Sequence, residues 1–277
     1  MMFDEMLSFP FFQRALLGGL MIAVMLSFLS FFVVLKRMSF IGVGISHSAL
    51  GGVAIGLALG LNPTLTTTLF CVAVALLIGY ISRRGRVRED AAIGITFSGT
   101  MALGVTVIAL SGSYMSSLFS YLFGSILSIS PADIRVIAVY CAAIIILISA
   151  FFRHLLHASF NEEVARVTGI HVEFLHYMLL VLVSLAIVAS IKLVGIVLVS
   201  ALLVLPAATA NLIARTYAKV LAFSVLSSIV SLVIGLALSY RLDLPSGATI
   251  VLCSCCIFFV CLAVSRIRGR LRPTPGG

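Results

Sequence analysis

Charge is scarce in this 277-residue chain: 10% of the residues are Asp, Glu, Lys or Arg, 62% are hydrophobic, and the mean hydropathy is +1.26. Soluble domains are roughly half apolar and about one-quarter charged, so the composition excludes that class and requires an integral membrane protein. Apolar runs recur from near the first residue to near the last, and no stretch between them could form a separate soluble domain. One transmembrane domain over 1–277 is expected, with a short cytoplasmic tail at 267–277. The opening "MMFDEMLSFPFFQ" begins with acids, and the apolar run after Arg14 has no A-x-A-like site, so residues 15–35 read as a retained span.

Further absences narrow the chemistry. Cys71, Cys141, Cys253, Cys255, Cys256 and Cys261 all lie inside apolar runs, which argues against disulfides. Cys253 and Cys256 share a helix face at i, i+3, where packing is the leading reading and soft-metal binding the lesser one. No G-x-x-x-x-G-K-[ST] loop occurs, so the chain does not bind ATP in that manner. Neither H-E-x-x-H nor a pair of acids within a span is present, which leaves an intramembrane enzyme without identifiable machinery. The spans also lack the buried carboxylate of many proton-driven carriers. If the protein drives transport, the energy comes from another chain.

Candidate spans are 15–35, 38–60, 64–82, 91–110, 134–152, 177–191, 193–213, 219–239 and 248–266, judged against about 20 apolar residues per crossing. Of these, 177–191 is short, and 116–130, "SSLFSYLFGSILSIS", reads as a half-helix or surface helix. About nine transmembrane helices are expected, with eight or ten as the bounds. With the N-terminus outside, the outer side carries only Arg14, Arg135, Lys192 and Arg241 of the 18 basic residues. The remaining fourteen fall in inner loops, as the positive-inside rule requires, and an odd count puts the C-terminus in the cytoplasm. The net charge of +9 therefore reports orientation and gives no reason to expect nucleic acid. Pro206 is expected to kink 193–213, while Pro63, Pro131 and Pro245 mark outer loops.

"MSFIGVGISHSALGGVAIGLALG", 38–60, holds six glycines, one histidine and no charge. Small residues let helices approach closely in lipid, so Gly44, Gly51 and Gly52 are expected either to pack or to line a pathway. His47 lies about 13 Å along a helix begun at Met38, at 1.5 Å per residue, near the bilayer midplane. An ionisable group at that depth must face the bundle interior or a wet cavity, and imidazole suits zinc and related metals. The alternative is a neutral ring bonded to a neighbouring carbonyl or serine. Ser46 and Ser48 flank His47 but point about 100° away from it, which does not make a nucleophile and base pair.

The longest inner loop, "RHLLHASFNEEVARVTGIHVEFLH", contains a short helix at 161–168 with both ends marked. Asn161 caps it, Glu162 and Glu163 complement its positive end, Arg166 lies in its body, and Gly169 stops it. Such a helix could dock to a soluble partner or lie on the membrane surface as a linker.

Several blocks resemble the membrane permease subunits of bacterial ABC importers for zinc, manganese and iron: "LKRMSFIGVGISHSALGGVAIG" (35–56), "EDAAIGITFSGTMALG" (89–104), "YLFGSILSIS" (121–130), "FNEEVARVTGI" (160–170), "VGIVLVSALLVLPAATA" (194–210) and "SGATIVL" (246–252). They occur in the family's order from about residue 10 to residue 267. The resemblance implies an all-helical, multi-pass permease of the bacterial inner membrane, working as a homodimer in membrane lipid. It further implies cytoplasmic ATPase subunits docking on 161–168, an extracytoplasmic metal-binding protein, and alternating access. No cofactor is implied in this chain, only a transported divalent ion passing His47, with zinc favoured over manganese or iron. Two departures stand out. Many relatives have Asp where this chain has Val43, on the same helix face as His47, and Asp or Asn where it has Ser125. An intramembrane enzyme or passive membrane scaffold is the alternative function.

Overall fold

The computed structural model describes residues 8–85, 87–111, 122, 124 and 129–270. They form helices α1 (Pro10–Leu35), α2 (Ile41–Ala58), α3 (Pro63–Arg84), α4 (Glu89–Ser111), α5 (Pro131–Phe160) and α6 (Glu162–Val167). These are followed by α7 (Val172–Val194), α8 (Ile196–Leu202), α9 (Leu205–Ile213), α10 (Tyr217–Leu242) and α11 (Ser246–Arg270). Among the described residues the chain is all-helical, and eight of the helices are long and apolar enough to span a bilayer.

Local chemistry sets the starts. Pro10, Pro63 and Pro131 stand in the first turns of α1, α3 and α5, where a missing N–H costs nothing. Asn62 Oδ1 accepts from the amides of Thr64 (3.0 Å) and Leu65 (3.4 Å), and Ser130 and Asp133 form a reciprocal capping box. The centre of the bundle is α1, α2 and α7, whose most apolar windows are 67%, 67% and 72% buried. By contrast, α4, α5 and α11 are 17%, 22% and 22% buried and form the periphery.

Contacts order the two ends of the bundle. Lys36, Arg83, Glu89, Glu162 and His176 converge at one end, here called the basic face. At the other, Asp133 of α5 is ion-paired with Lys192 of α7, and Tyr240 of α10 packs on Phe9 and on Phe12 of α1. Tyr217, which opens α10, packs on Phe152 in the basic half of α5, 6.2 Å between centroids. The chain thus leaves α7 at the far end and enters α10 at the basic face, so α8 and α9 together make a ninth crossing in two pieces. The hairpin to α11, with Gly235 against Ile250, then returns the chain to the basic face.

Two expectations are revised. The short span 177–191 is a full 23-residue helix, α7. The run 193–213 is broken rather than kinked: α8 stops at Leu202 and α9 restarts at Leu205, with Pro206 in its first turn. Ser30 of α1 bridges the break, accepting from the Ala207 amide (3.1 Å) and donating to the Val204 carbonyl (3.3 Å), since neither group can turn to water in lipid. Most of 116–130, Ser125 included, lies outside the described residues. Gly124 has φ +71°, and a Cβ there would lie 2.6 Å from the Leu193 carbonyl, so only glycine seats this backbone on the α7–α8 junction.

Candidate functional site

His47 lies on α2, half-buried between that helix and α4. Because α2 begins at Ile41, three residues later than the glycine pattern suggests, His47 stands about 9 Å along the helix from its basic-face end. Its Nδ1 lies 3.0 Å from the carbonyl oxygen of Val43, one turn back, and Ser46 Oγ is 3.3 Å from the same nitrogen. A carbonyl only accepts, so in the neutral ring the proton resides on Nδ1 and Nε2 carries the lone pair. The ring meets Phe97 of α4 edge to face at 5.4 Å, which holds its plane. Val43, like His47, is half-buried, so this face of α2 is not fully covered within one chain. Among the described residues no three His, Cys, Asp or Glu side chains come together as a metal cluster.

The neighbouring glycines have steric reasons for their identity. A Cβ on Gly44 would meet Ile93 Cγ2 at 2.5 Å, on Gly51 the Thr100 carbonyl at 3.1 Å, and on Gly52 the Thr67 Cα at 2.7 Å. Ser48 hydrogen-bonds Thr100 at 2.6 Å across the same seam. Between them these contacts press α2 against both α3 and α4. On the outer side of α4, Gly94, Ser98 and Gly99 are exposed, and a Cβ on either glycine would meet nothing within 4 Å.

At the basic face, the short helix forms as the sequence suggests, over Glu162–Val167. Asn161 Oδ1 accepts from the amides of Glu163 (3.0 Å) and Val164 (3.1 Å), and Gly169, at φ +83°, ends the turn. Only Ala165 is buried; Glu163, Val164, Arg166 and Val167 face outward, Val167 being 89% exposed. Glu162 turns back into the bundle, where Arg83 donates to both its oxygens (2.9 and 2.8 Å) and Lys36 Nζ lies 3.4 Å away. These partners, Arg83 first, bring the Glu162 carboxyl down to about 2. Burial pushes the Lys36 ammonium down, and Glu162 partly opposes the shift. The cluster lines a cleft of about 420 Å³ that also contains Glu89 and His176.

The anchor joins residues 79 and 126 positions apart, which no local pattern signals. Sequence reasoning found Asn161, Glu162, Glu163, Arg166 and Gly169 as a helix for docking a partner, with Glu162 complementing the helix dipole, but gave Glu162 no tie to the bundle. It missed Lys36, Arg83, Glu89 and His176; the one available hint was a set of charged residues at the ends of separate apolar runs.

Residues 8–265 match the family model described as the ABC 3 transport family. The chain is 35% identical over 268 residues to the manganese transport system membrane protein MntC of Listeria monocytogenes, covering 97% of this chain and 95% of that protein. It is 32% identical over 248 residues to the high-affinity zinc uptake system membrane protein ZnuB of Haemophilus influenzae, covering 90% and 95%. Among solved structures, PsaBC from Streptococcus pneumoniae in complex with Fab aligns with a TM-score of 0.84 at 35% identity, over 94% of each chain.

Proposed function

This chain belongs to the ABC 3 transport family, and on that premise we propose that it is the membrane-spanning subunit of an ATP-driven importer of a divalent transition metal, with zinc favoured. The observation that carries the proposal is His47: a ring whose Nδ1 is held by the Val43 carbonyl, so that Nε2 is left as a ligand on an incompletely covered helix face. One imidazole holds an ion weakly, which suits a transient passage and not a storage site. Two copies of the chain, meeting along the exposed small-residue face of α4, would bring a second His47 to a shared route. Val43 removes the hard carboxylate that would favour manganese, and an all-imidazole pair tilts the preference to zinc.

The basic face is read as cytoplasmic, because the lysines and arginines concentrate there. On it, α6 exposes Val164 and Val167 to water while Glu162 is tied to α1 and α3, which fits a docking knob for a cytoplasmic ATPase. Closure of two ATPase subunits would move α6 and, through Arg83 and Lys36, the ends of α3 and α1, opening the route alternately to each side. An extracytoplasmic binding protein would deliver the ion at the far end.

The test is metal uptake into vesicles containing the permease and its ATPase. His47→Ala is expected to abolish uptake of labelled zinc and manganese while the ATPase still co-purifies. Uptake at the wild-type rate would reject the role of His47, and the ratio of zinc to manganese uptake in the wild type decides the metal.

A further inference from the structure

Donor atoms in the basic-face cleft lack partners. His176 is 2% exposed, yet neither Nδ1 nor Nε2 makes a hydrogen bond, and Oε1 of Glu89 is buried and equally unsatisfied. Glu89 Oε1 and His176 Nε2 are 3.9 Å apart, too far to bond each other directly. Glu89 Oε1 accepts no hydrogen bond from the neighbouring cations: the side-chain bonds of Arg83 and Lys36 go to Glu162. The two donors sit on α4 and α7, helices that otherwise barely touch. Buried polar groups left without partners cost free energy, so two of them facing one gap point to a third species between them.

We propose that Glu89 and His176 form a second divalent-metal site at the basic face, whose occupancy staples α4 to α7 and restrains transport. A carboxylate oxygen and an imidazole nitrogen are the donor types that zinc, manganese and iron accept. Bonds of about 2.1 Å at a tetrahedral angle need donors about 3.4 Å apart, so the helices would close by about 0.5 Å. Water from the cleft would complete the coordination. Lys36 and Arg83 are balanced by Glu89 and Glu162, so a cation entering the cleft meets no net repulsion from these four groups. Arg37, at the rim, is exposed and screened by solvent. The inference rests on the importer reading: metal accumulating on the α6 side would bind here and oppose the helix movements that release more.

Two measurements on the permease–ATPase complex test it. In vesicles, zinc or manganese added on the α6 side is expected to lower the initial uptake rate. His176→Ala and Glu89→Gln should each raise the half-inhibiting concentration more than about tenfold. By equilibrium dialysis with labelled zinc, the His47→Ala complex should keep one class of bound metal, which disappears when His176→Ala or Glu89→Gln is added. Glu89→Gln keeps the size of the side chain, so the test survives if His176→Ala disturbs folding. Unchanged inhibition in both variants, or zinc retained in both double variants, overturns the proposal. Wild-type vesicles that take up no metal would fail the importer reading; vesicles that take up metal without feedback fail this one.

Discussion

Replacing Glu162 by Gln should free the short basic-face helix α6 from the bundle. The substitution keeps volume and removes the charge that Arg83 and Lys36 hold at 2.8–3.4 Å. The fall of the Glu162 carboxyl from 4.5 to about 2 corresponds to about 3 kcal/mol at 1.36 kcal/mol per pH unit. The side chain is 38% exposed, so solvent screening reduces this to about 1–2 kcal/mol. A carboxylate with a depressed value stabilises the fold fully above its ordinary value of 4.5 and loses that contribution as the pH falls towards about 2. At neutral pH the whole anchor is therefore at stake. Hydrogen exchange of the α6 amides measures the local opening, and a loss of about 1–2 kcal/mol should speed it by about five- to thirtyfold. Arg83→Gln should give a similar increase, and the double variant little more, because both changes remove one interaction. Equal exchange in wild type and Glu162→Gln, or additive effects in the double variant, would refute the anchor.

Gly52→Ala should lower thermal stability by about 1–3 kcal/mol, since its Cβ would stand 2.7 Å from the Thr67 Cα and backbone yields poorly; a thermal scan of the purified chain checks this. Gly99→Leu should leave that scan unchanged, because nothing lies within 4 Å of the added Cβ. If copies of the chain meet on this face of α4, the same variant should convert dimers to monomers in light scattering. Val43→Asp should restore a carboxylate one turn before His47, strengthen metal binding in equilibrium dialysis and move the uptake preference towards manganese.

Features that depend on neighbours in sequence were legible, and those that depend on distant neighbours were not. The α6 helix was readable because Asn161, the two acids and Gly169 act within a few residues of one another. The glycine-rich α2 was readable as a tightly packed helix, but the identity of what presses on it, Thr67 on one side and Ile93 on the other, was not. The start of α7 was missed because His171, Glu173 and His176 look like loop residues, whereas the bundle buries His176 against the cleft. The division of 193–213 was half-readable: Pro206 marked the place, but the repair of the broken ladder comes from Ser30, 174 positions from Val204. At His47 the sequence supplied the residue and its helix, while the choice of ring nitrogen required the Val43 contact.

These contacts also define how movement at α6 could reach His47. The Glu162 carboxylate is bonded to the last turn of α3 through Arg83 and, through Lys36, to the turn that leads from α1 into α2. The first turns of α3 are locked to the last turns of α2, where added Cβ atoms on Gly52 and Gly56 would meet the Thr67 Cα at 2.7 Å and the Thr66 hydroxyl at 2.3 Å. Seams this close resist sliding, so α2 and α3 behave as one rigid hairpin held at both ends. A displacement of α6 is thereby applied to the hairpin as a whole, and His47 is carried with it on α2. The α2–α4 seam is as close, since added Cβ atoms on Gly44 and Gly104 would meet Ile93 Cγ2 at 2.5 Å and the Gly51 backbone at 3.0 Å, so α4 travels with the hairpin and Phe97 stays against His47. Spin labels on α2 and on α11, which do not pack on each other, should therefore change separation through the ATPase cycle while pairs on α2 and α3 and on α2 and α4 do not; a fixed α2–α11 distance would break the mechanical link between the anchor and His47.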